Sequence, residues 1–100
     1  MFASIRRYKA TAPAEAAQLV REGLLPFMGE IEGFEGYYCL DFGNGEMASV
    51  SLYDTRAGAE QSNQLAKEWG SKHTVSLVTE KAAPQVGEVV AHRLAPHAIA

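Results

Sequence analysis

A glycine-rich turn near the middle of the chain constrains the fold more than any other segment. Gly43-Asn44-Gly45 separates two segments with strand character, Phe34 to Phe42 and Met47 to Tyr53. Glycine and asparagine tolerate the positive φ angles that a tight turn between antiparallel strands requires. The sequence therefore predicts a central β-hairpin.

The second strand of this hairpin alternates between two sets of side chains, so each set belongs to one face of a sheet. We expect Ala48, Val50 and Leu52 to face the core. The opposite face of the hairpin would carry Tyr37, Cys39, Ser49, Ser51 and Tyr53. That set is too apolar for a face left in water, and a second copy of the chain is the simplest cover. We therefore predict a homodimer.

The segments before the hairpin predict a strand followed by a helix. Phe2 to Ala10 has moderate β character and ends at a break before Pro13. Proline suits the first turn of a helix, and apolar residues then recur at helical spacing as far as Ile31. Pro26 lies inside this pattern and is expected to kink or tighten the helix. Gly29 and Gly33 are expected to end it.

The segments after the hairpin predict a second helix and a last strand. Asp54 or Thr55 can cap a helix that runs to Trp69, and Gly70 is a plausible break. A further helical turn or two is expected over Lys72 to Val78. Val86 to Leu94 alternates again and predicts a fourth strand.

This order, β-α-β-β-α-β, is that of the ferredoxin-like fold. We therefore predict an α+β protein with a four-stranded antiparallel sheet and both helices on one face. Residues 1–94 would form one domain, followed by a short tail over residues 95–100.

Composition excludes several classes of function. The chain has 9 Lys and Arg against 12 Asp and Glu, which gives a net charge of −3. A chain with this charge is not expected to bind nucleic acid, because binding to phosphates requires clustered basic residues. Cys39 is the single cysteine, so no disulfide or thiolate metal cluster can form within the chain. No apolar run reaches the roughly 18 residues of a membrane span, and the first residues do not have the pattern of a secretory signal. We expect a cytoplasmic protein that needs no metal or other cofactor and has no nucleic-acid or membrane partner.

Several segments together resemble a known family. These are FASIRRYKA, REGLLPFMGEIEGFEGYY, the strand SVSLYDT and the later KEW. Over residues 1 to about 94 the chain is similar to the antibiotic biosynthesis monooxygenase-like domains of the dimeric α/β-barrel superfamily. The resemblance implies a ferredoxin-like protomer, two sheets that face each other in a dimer, and a ligand pocket between each sheet and its own helices. Activities in the family include cofactor-independent oxygenation of polyphenols or quinols and oxidative haem breakdown.

The chain departs from the motifs of both catalytic branches. The quinone-forming branch has an asparagine and a tryptophan four residues apart on the third strand, where this chain has Ser49 and Tyr53. The haem-degrading branch has an iron-binding histidine, which His73 resembles in position. Its tryptophan ten residues earlier is replaced by Asn63 here, and Ile5 or Arg6 stands in place of its first-strand asparagine.

The candidate catalytic residues are His73, Tyr53 and Arg6. His73 follows Trp69 by four residues, so on a continuous helix the two rings would stack, with His73 as a general base, a haem ligand or a boundary residue. Tyr53 can orient a phenolic substrate or pack in the sheet or dimer interface. Arg6 can polarise a substrate oxygen or form a rim or dimer ion pair with a glutamate. The candidate substrate-binding residues are Trp69, Ser49 and Tyr38.

Two functions remain open at this stage, as does whether the chain is an enzyme. One is a cofactor-independent monooxygenase that acts on an aromatic or polyphenolic small molecule. The other is a non-catalytic dimeric domain that binds such a ligand or acts in a stress response. Haem degradation is a third and weaker candidate.

Overall fold

The computed structural model describes residues 1–95, and the elements follow the order predicted from the sequence. They are β1 (Phe2–Ala10), α1 (Pro13–Leu19), a π-helical turn (Val20–Leu24), α2 (Leu25–Met28), β2 (Phe34–Gly43), β3 (Glu46–Tyr53), α3 (Arg56–His73), β4 (Val78–Lys81) and β5 (Gln85–Glu88). The predicted tail lies outside the described residues except for Ala95.

The strands form one antiparallel sheet in the order β2-β3-β1, with β4 and β5 both on the free edge of β1. β4 pairs with the C-terminal end of β1, and β5 pairs with its N-terminal end. The chain therefore runs antiparallel to β1 from β4 through to β5. The two are halves of one edge strand, interrupted just before β5 by Pro84, which has no backbone N–H to donate. The ferredoxin-like α+β fold is therefore confirmed. The predicted fourth strand over Val86 to Leu94 was wrong in extent, because regular pairing ends at Glu88.

The central hairpin is confirmed, and its turn is held by backbone conformation. Gly43, Asn44 and Gly45 all have positive φ, at 87°, 54° and 80°. The turn also packs on the end of β1, where the Ala10 N–H donates to the Gly45 carbonyl at 2.8 Å. A Cβ on residue 45 would lie 2.8 Å from the Ala10 carbonyl oxygen, so this position requires glycine on two grounds.

The elements α1, the π-helical turn and α2 follow one another without a gap and form the first helical segment, residues 13–28. The helix of this segment widens in its middle instead of tightening. Five residues, Val20–Leu24, form a π-helical turn directly before α2, and Pro26 occupies the first turn of α2. Proline cannot donate a hydrogen bond to the preceding turn, so the helix is interrupted close to the position that the sequence predicted. The segment ends by Gly29, as expected.

The long helix α3 begins at a threonine cap and continues past the predicted break. The Thr55 side chain accepts a hydrogen bond from the Gly58 N–H at 3.1 Å, which selects Thr55 over Asp54 as the cap. The predicted break at Gly70 was wrong, because the helix runs to His73 with Gly70 buried inside it. Helical turns do not extend to Val78, where β4 begins.

The structure reverses the predicted assignment of the two sheet faces. Ser49, Ser51 and Tyr53 are buried under the helices. The Tyr53 hydroxyl donates to the Met28 carbonyl in α2, which fixes this face as the helix side. The opposite face carries Tyr38, Leu40 and Phe42, which are 57%, 41% and 55% exposed. The alternation was read correctly, but the set that contains the serines packs on the helices and the wholly apolar set lies on the other face, so polarity alone does not show which face is covered.

The core lies between the helices and the sheet in two clusters. The larger cluster contains Leu24, Met28 and Tyr53, and the smaller contains Ala16 and Met47. Within residues 1–95, none of the helices is both long and apolar enough to cross a membrane.

Candidate ligand cavity

A cavity of about 570 Å³ lies between α3, the first helical segment and the sheet. Its volume falls in the range of small-molecule pockets in proteins. Apolar side chains of the first helical segment form one wall, and Trp69 of α3 forms another. Polar residues from three strands and α3 also line it, among them Arg6, Tyr8, Tyr37, Ser49 and Asn63.

Arg6 is the most connected polar residue of the cavity. Its Nη1 donates to the Asn63 Oδ1 at 2.7 Å, and its Nη2 donates to the Ser51 hydroxyl at 2.6 Å. The hydroxyls of Ser4 and Ser62 lie farther from Nη1, at 3.4 and 3.5 Å. Strand alternation aims Arg6 at the helices, and the spacing of α3 places Asn63 opposite it. The guanidinium is therefore held in one place by groups from β1, β3 and α3.

Two further contacts complete this arrangement. The Arg6 guanidinium lies over the Tyr37 ring, with 5.8 Å between its carbon and the ring centroid, a geometry that favours a cation–π interaction. The Ser4 hydroxyl donates to the same Asn63 oxygen as Arg6. Within residues 1–95 of one chain, Arg6 makes no ion pair with a glutamate, since the ion pair found there joins Lys9 to Glu80.

Trp69 reaches the cavity because the residue facing it is glycine. A Cβ on Gly23 in the π-helical turn would lie 3.1 Å from the indole Cζ2. On its other side Trp69 packs against His73, with ring centroids 5.1 Å apart and an interplanar angle of 31°. The predicted stacking is therefore present. His73 itself is exposed and is not among the residues that line the cavity.

Tyr53 lies outside the cavity lining. Its side chain is fully buried, with its hydroxyl 3.1 Å from the Met28 carbonyl oxygen and its ring edge-on to Phe34. Burial raises the pKa of Tyr53, and the positive charge of Arg6 offsets only part of that effect. Tyr38 is also outside the lining, on the exposed face of the sheet. The cavity thus brings together Arg6, Trp69 and Ser49 of the predicted residues.

Ser49 lies beside a second tyrosine whose hydroxyl is held at neutral charge. Burial raises the pKa of Tyr8 well above its usual range, and a hydrogen bond from Ser49 offsets part of this. The Tyr8 hydroxyl also lies 3.6 Å from the Cys39 Sγ. Tyr8 can donate or accept a hydrogen bond at the cavity, but it does not ionise near neutral pH.

Comparisons with known proteins support the fold. No family model and no curated protein sequence matches the chain. Solved structures do match. A protein of unknown function from Nitrosomonas europaea, NE2512, is 19% identical with a TM-score of 0.72, over 96% of this chain and 95% of that one. A candidate antibiotic biosynthesis monooxygenase from the same organism is 14% identical with a TM-score of 0.70, over 91% of this chain and all of that one.

The chain shares the ferredoxin-like fold of these structures. A dimeric ferredoxin-like protein from an uncultured marine organism is also similar, at 15% identity and a TM-score of 0.64, over 94% of this chain and 99% of that one. The resemblance seen in the sequence is thus confirmed for the fold. At these identities the comparisons do not extend to the chemistry of the cavity.

Sequence reasoning overlooked Asn63 as a cavity residue. One side of α3 carries small and polar residues at helical spacing, among them Ser62, Asn63, Gly70 and, at the helix end, Thr74. A helix face of this kind lets a helix approach a sheet closely and leaves room for a ligand. That pattern could have indicated that Asn63 faces the sheet. Its hydrogen-bond partner Arg6 is 57 residues away in the chain, so no local pattern links the two residues.

The residues present do not fit a haem site. His73, the histidine that resembles the haem-binding one, is exposed and separated from the cavity by Trp69. Within residues 1–95, no group of three or more His, Cys, Asp or Glu side chains is placed to hold a metal ion.

Proposed function

We propose that the chain is a homodimeric protein that binds a small aromatic molecule in this cavity and oxygenates it without a metal or flavin. The observation that carries the proposal is the lining itself: an apolar and aromatic wall with Trp69, opposite a fixed arginine. Aromatic rings pack on the wall, and a ring hydroxyl reaches Arg6. The fold shared with candidate monooxygenases is consistent with this reaction.

In the proposed reaction the substrate supplies its own electrons. An electron-rich phenolate passes an electron to dioxygen, and the two radicals combine at a ring carbon. Loss of water then leaves a quinone, with one dioxygen atom in the new carbonyl group and the other in the water. The protein binds and orients the ring.

The three predicted residues that line the cavity each have a role in this proposal. Arg6 binds the substrate oxygen, Trp69 packs on the ring, and Ser49 hydrogen-bonds a second ring substituent. His73 packs against Trp69 and acts through it as a positioning residue. Tyr53 and Tyr38 have no catalytic or substrate-binding role in the proposal, since neither lines the cavity.

The exposed face of the sheet supports the homodimer. Tyr38, Leu40 and Phe42 form an apolar patch that pairing with a second sheet would cover. The similar ferredoxin-like protein from a marine organism is dimeric. A cytoplasmic location, as predicted from the sequence, is part of the same proposal.

A non-catalytic binding domain is the second candidate, and one observation favours it. The one carboxylate of the lining, Glu60, is on an exposed residue, and no histidine lines the cavity within residues 1–95. No general base is therefore placed beside Arg6. Such a domain would use the same cavity to bind a ligand without turnover.

Oxygen consumption in the presence of a bound ligand separates the two functions. Hydroxyquinones, flavonoid-like phenols and haemin would first be screened for binding, and hits would then be incubated with the protein in an oxygen electrode. The proposal expects oxygen uptake that falls at least tenfold in Arg6→Gln and is retained in Arg21→Gln, an exposed arginine outside the lining. Tight binding without uptake would support the binding domain.

A further inference from the structure

Every hydrogen-bond partner of the Arg6 guanidinium is electrically neutral. The two short bonds go to an amide oxygen and a hydroxyl, and the aromatic contact is with Tyr37. Arg6 is half-buried and pairs with no carboxylate within residues 1–95. Removing a charge from water without an opposite charge is costly, and the protein groups around Arg6 leave its positive charge uncompensated.

The rest of the lining increases this positive charge. Two further basic residues, Lys67 and Lys81, line the cavity with Arg6, against the single carboxylate of Glu60. The whole chain has a net charge of −3, so the cavity has the opposite sign to the protein around it. A cleft lined by one sign of charge concentrates ligands of the other sign.

The other ionisable groups near Arg6 do not neutralise it. On the sheet side these are phenols and a thiol: Tyr8, Tyr37, Tyr53 and Cys39. On α3 they are Glu60 and Lys67, both on exposed residues, and Lys81 follows on β4. The first helical segment contributes only apolar residues to the lining. A negative charge that neutralises Arg6 would therefore have to come from a bound ligand.

The polar end of the cavity also presents hydrogen-bond donors. The bonds from Nη1 and Nη2 leave the Arg6 Nε–H and a second Nη2–H without an acceptor within residues 1–95. The Asn63 carbonyl already accepts from Arg6 and Ser4, so its amide group has N–H donors to offer. Adjacent N–H donors on a guanidinium suit an anionic oxygen, which accepts charge-assisted hydrogen bonds.

We propose that the cavity selects aromatic ligands that carry an anionic oxygen, with Arg6 as the counter-ion. The inference rests on the proposed function and narrows its substrate class to aromatic carboxylates and phenolates. When a phenol binds, its O–H bond breaks, the proton goes to solvent water and the electron pair stays on the oxygen bound to Arg6. This loss of a proton needs no protein base, and it yields the form of the ligand that reacts with dioxygen.

Two ligand series test the inference and separate its two chemical sources. The carboxylate arm compares 2-naphthoate with 2-naphthamide, which has the same shape but no charge, by calorimetry at pH 7.5. We expect the wild-type protein to prefer the carboxylate by about tenfold or more. The phenolate arm follows the absorbance of 4-nitro-1-naphthol during a pH titration, and binding is expected to lower the pKa of this ligand by about 1–3.

Variants identify the counter-ion. Arg6→Gln should abolish the preference for the carboxylate and the pKa change of the phenol, whereas Arg6→Lys should retain part of both. Arg21→Gln should behave like the wild type. Equal wild-type binding of the naphthoate and the naphthamide, with no pKa change of the phenol, would overturn the inference and leave the aromatic cavity intact. A preference that survives in Arg6→Gln would overturn the assignment to Arg6, and failure of every ligand to bind would overturn both proposals.

The wild-type comparisons need no variant and remain decisive if Arg6→Gln does not fold.

Discussion

A buried tyrosine illustrates how single side chains hold this fold together. The hydroxyl of Tyr53 is taken out of water and needs a partner, which the Met28 carbonyl of α2 supplies. Gly58 makes room for the ring, because a Cβ there would lie 3.1 Å from the Tyr53 Cδ1. Tyr53 therefore joins β3, α2 and α3, which is a structural role.

Tyr53→Phe is expected to lower the free energy of unfolding by about 1 kcal/mol, because it removes a buried hydrogen bond. Urea denaturation at pH 8 measures the loss, and Tyr38→Phe on the exposed face is the matched control. An unfolding free energy equal to that of the wild type would show that the bond to Met28 contributes nothing.

The same residue gives stability a dependence on alkaline pH. Burial raises the pKa of Tyr53 in the folded state above its usual value of about 10. Its stabilising effect is complete below pH 10 and is lost as the pH rises through the folded-state pKa. We expect the unfolding free energy to fall above pH 10, and to fall less steeply in Tyr53→Phe. Buried Tyr8 lowers the unfolding free energy above pH 10 in both proteins, so it does not account for a difference between them. Identical slopes of unfolding free energy against pH in the two proteins would contradict this account.

Among the elements, α3 depends on the capping residue that precedes it. The Thr55 side chain satisfies the Gly58 N–H, one of the donors that a helix start leaves free. Thr55→Ala should cost about 1 kcal/mol of stability, and Thr55→Ser should cost much less. Thermal unfolding compares these variants with Thr79→Ala, whose exposed hydroxyl caps no helix. Equal melting temperatures for Thr55→Ala and Thr79→Ala would argue against the cap.

The π-helical turn positions Trp69 through the absence of a side chain at Gly23. Gly23→Ala should push the indole towards the cavity, shift its fluorescence and weaken ligand binding. Trp69 is the only tryptophan, so its emission reports this movement without interference. Gly29→Ala is the control, since a Cβ there would meet only ordinary contacts at 3.6 Å or more. An unchanged spectrum and affinity in Gly23→Ala would show that this contact does not set the position of Trp69.

Sequence signals that act within a few residues predicted most of the helices and strands. Features that depend on tertiary packing were not predicted. The Gly43-Asn44-Gly45 turn and the Pro13 helix start act within a few residues, so the sequence reveals both. Gly70 was expected to end α3, but it is buried inside the helix, which continues to His73 despite the weak helix propensity of glycine.

The cavity was also predictable only in part, because it depends on packing between elements that are distant in the chain. Arg6, Trp69 and Ser49 were proposed from residue type and strand or helix position. The neutral shell around Arg6 is assembled from three elements that are distant in the chain, and no local pattern encodes it. The reversal of the two sheet faces has the same origin, because alternation does not show which face the helices cover.

At the scale of the whole molecule, the exposed sheet face implies a partner. Leu40→Asp places a charge in the middle of the patch formed with Tyr38 and Phe42 and should dissociate the dimer. Sedimentation equilibrium should give twice the 10.8 kDa of one chain for the wild type and 10.8 kDa for Leu40→Asp. Phe27→Asp, at an exposed residue of α2 on the helix side, should remain dimeric. A wild-type protein that sediments as a single chain at micromolar concentration would refute the dimer.

The central claim, that the cavity between sheet and helices holds the ligand, is tested most directly by filling it. Ala66 lines the cavity, whereas Ala57 lies exposed on the same helix and outside the lining. Calorimetric titration of 2-naphthoate should show one site per chain in the wild type and in Ala57→Phe, and at least tenfold weaker binding in Ala66→Phe. Wild-type affinity in a folded Ala66→Phe protein would place the ligand elsewhere and contradict the account.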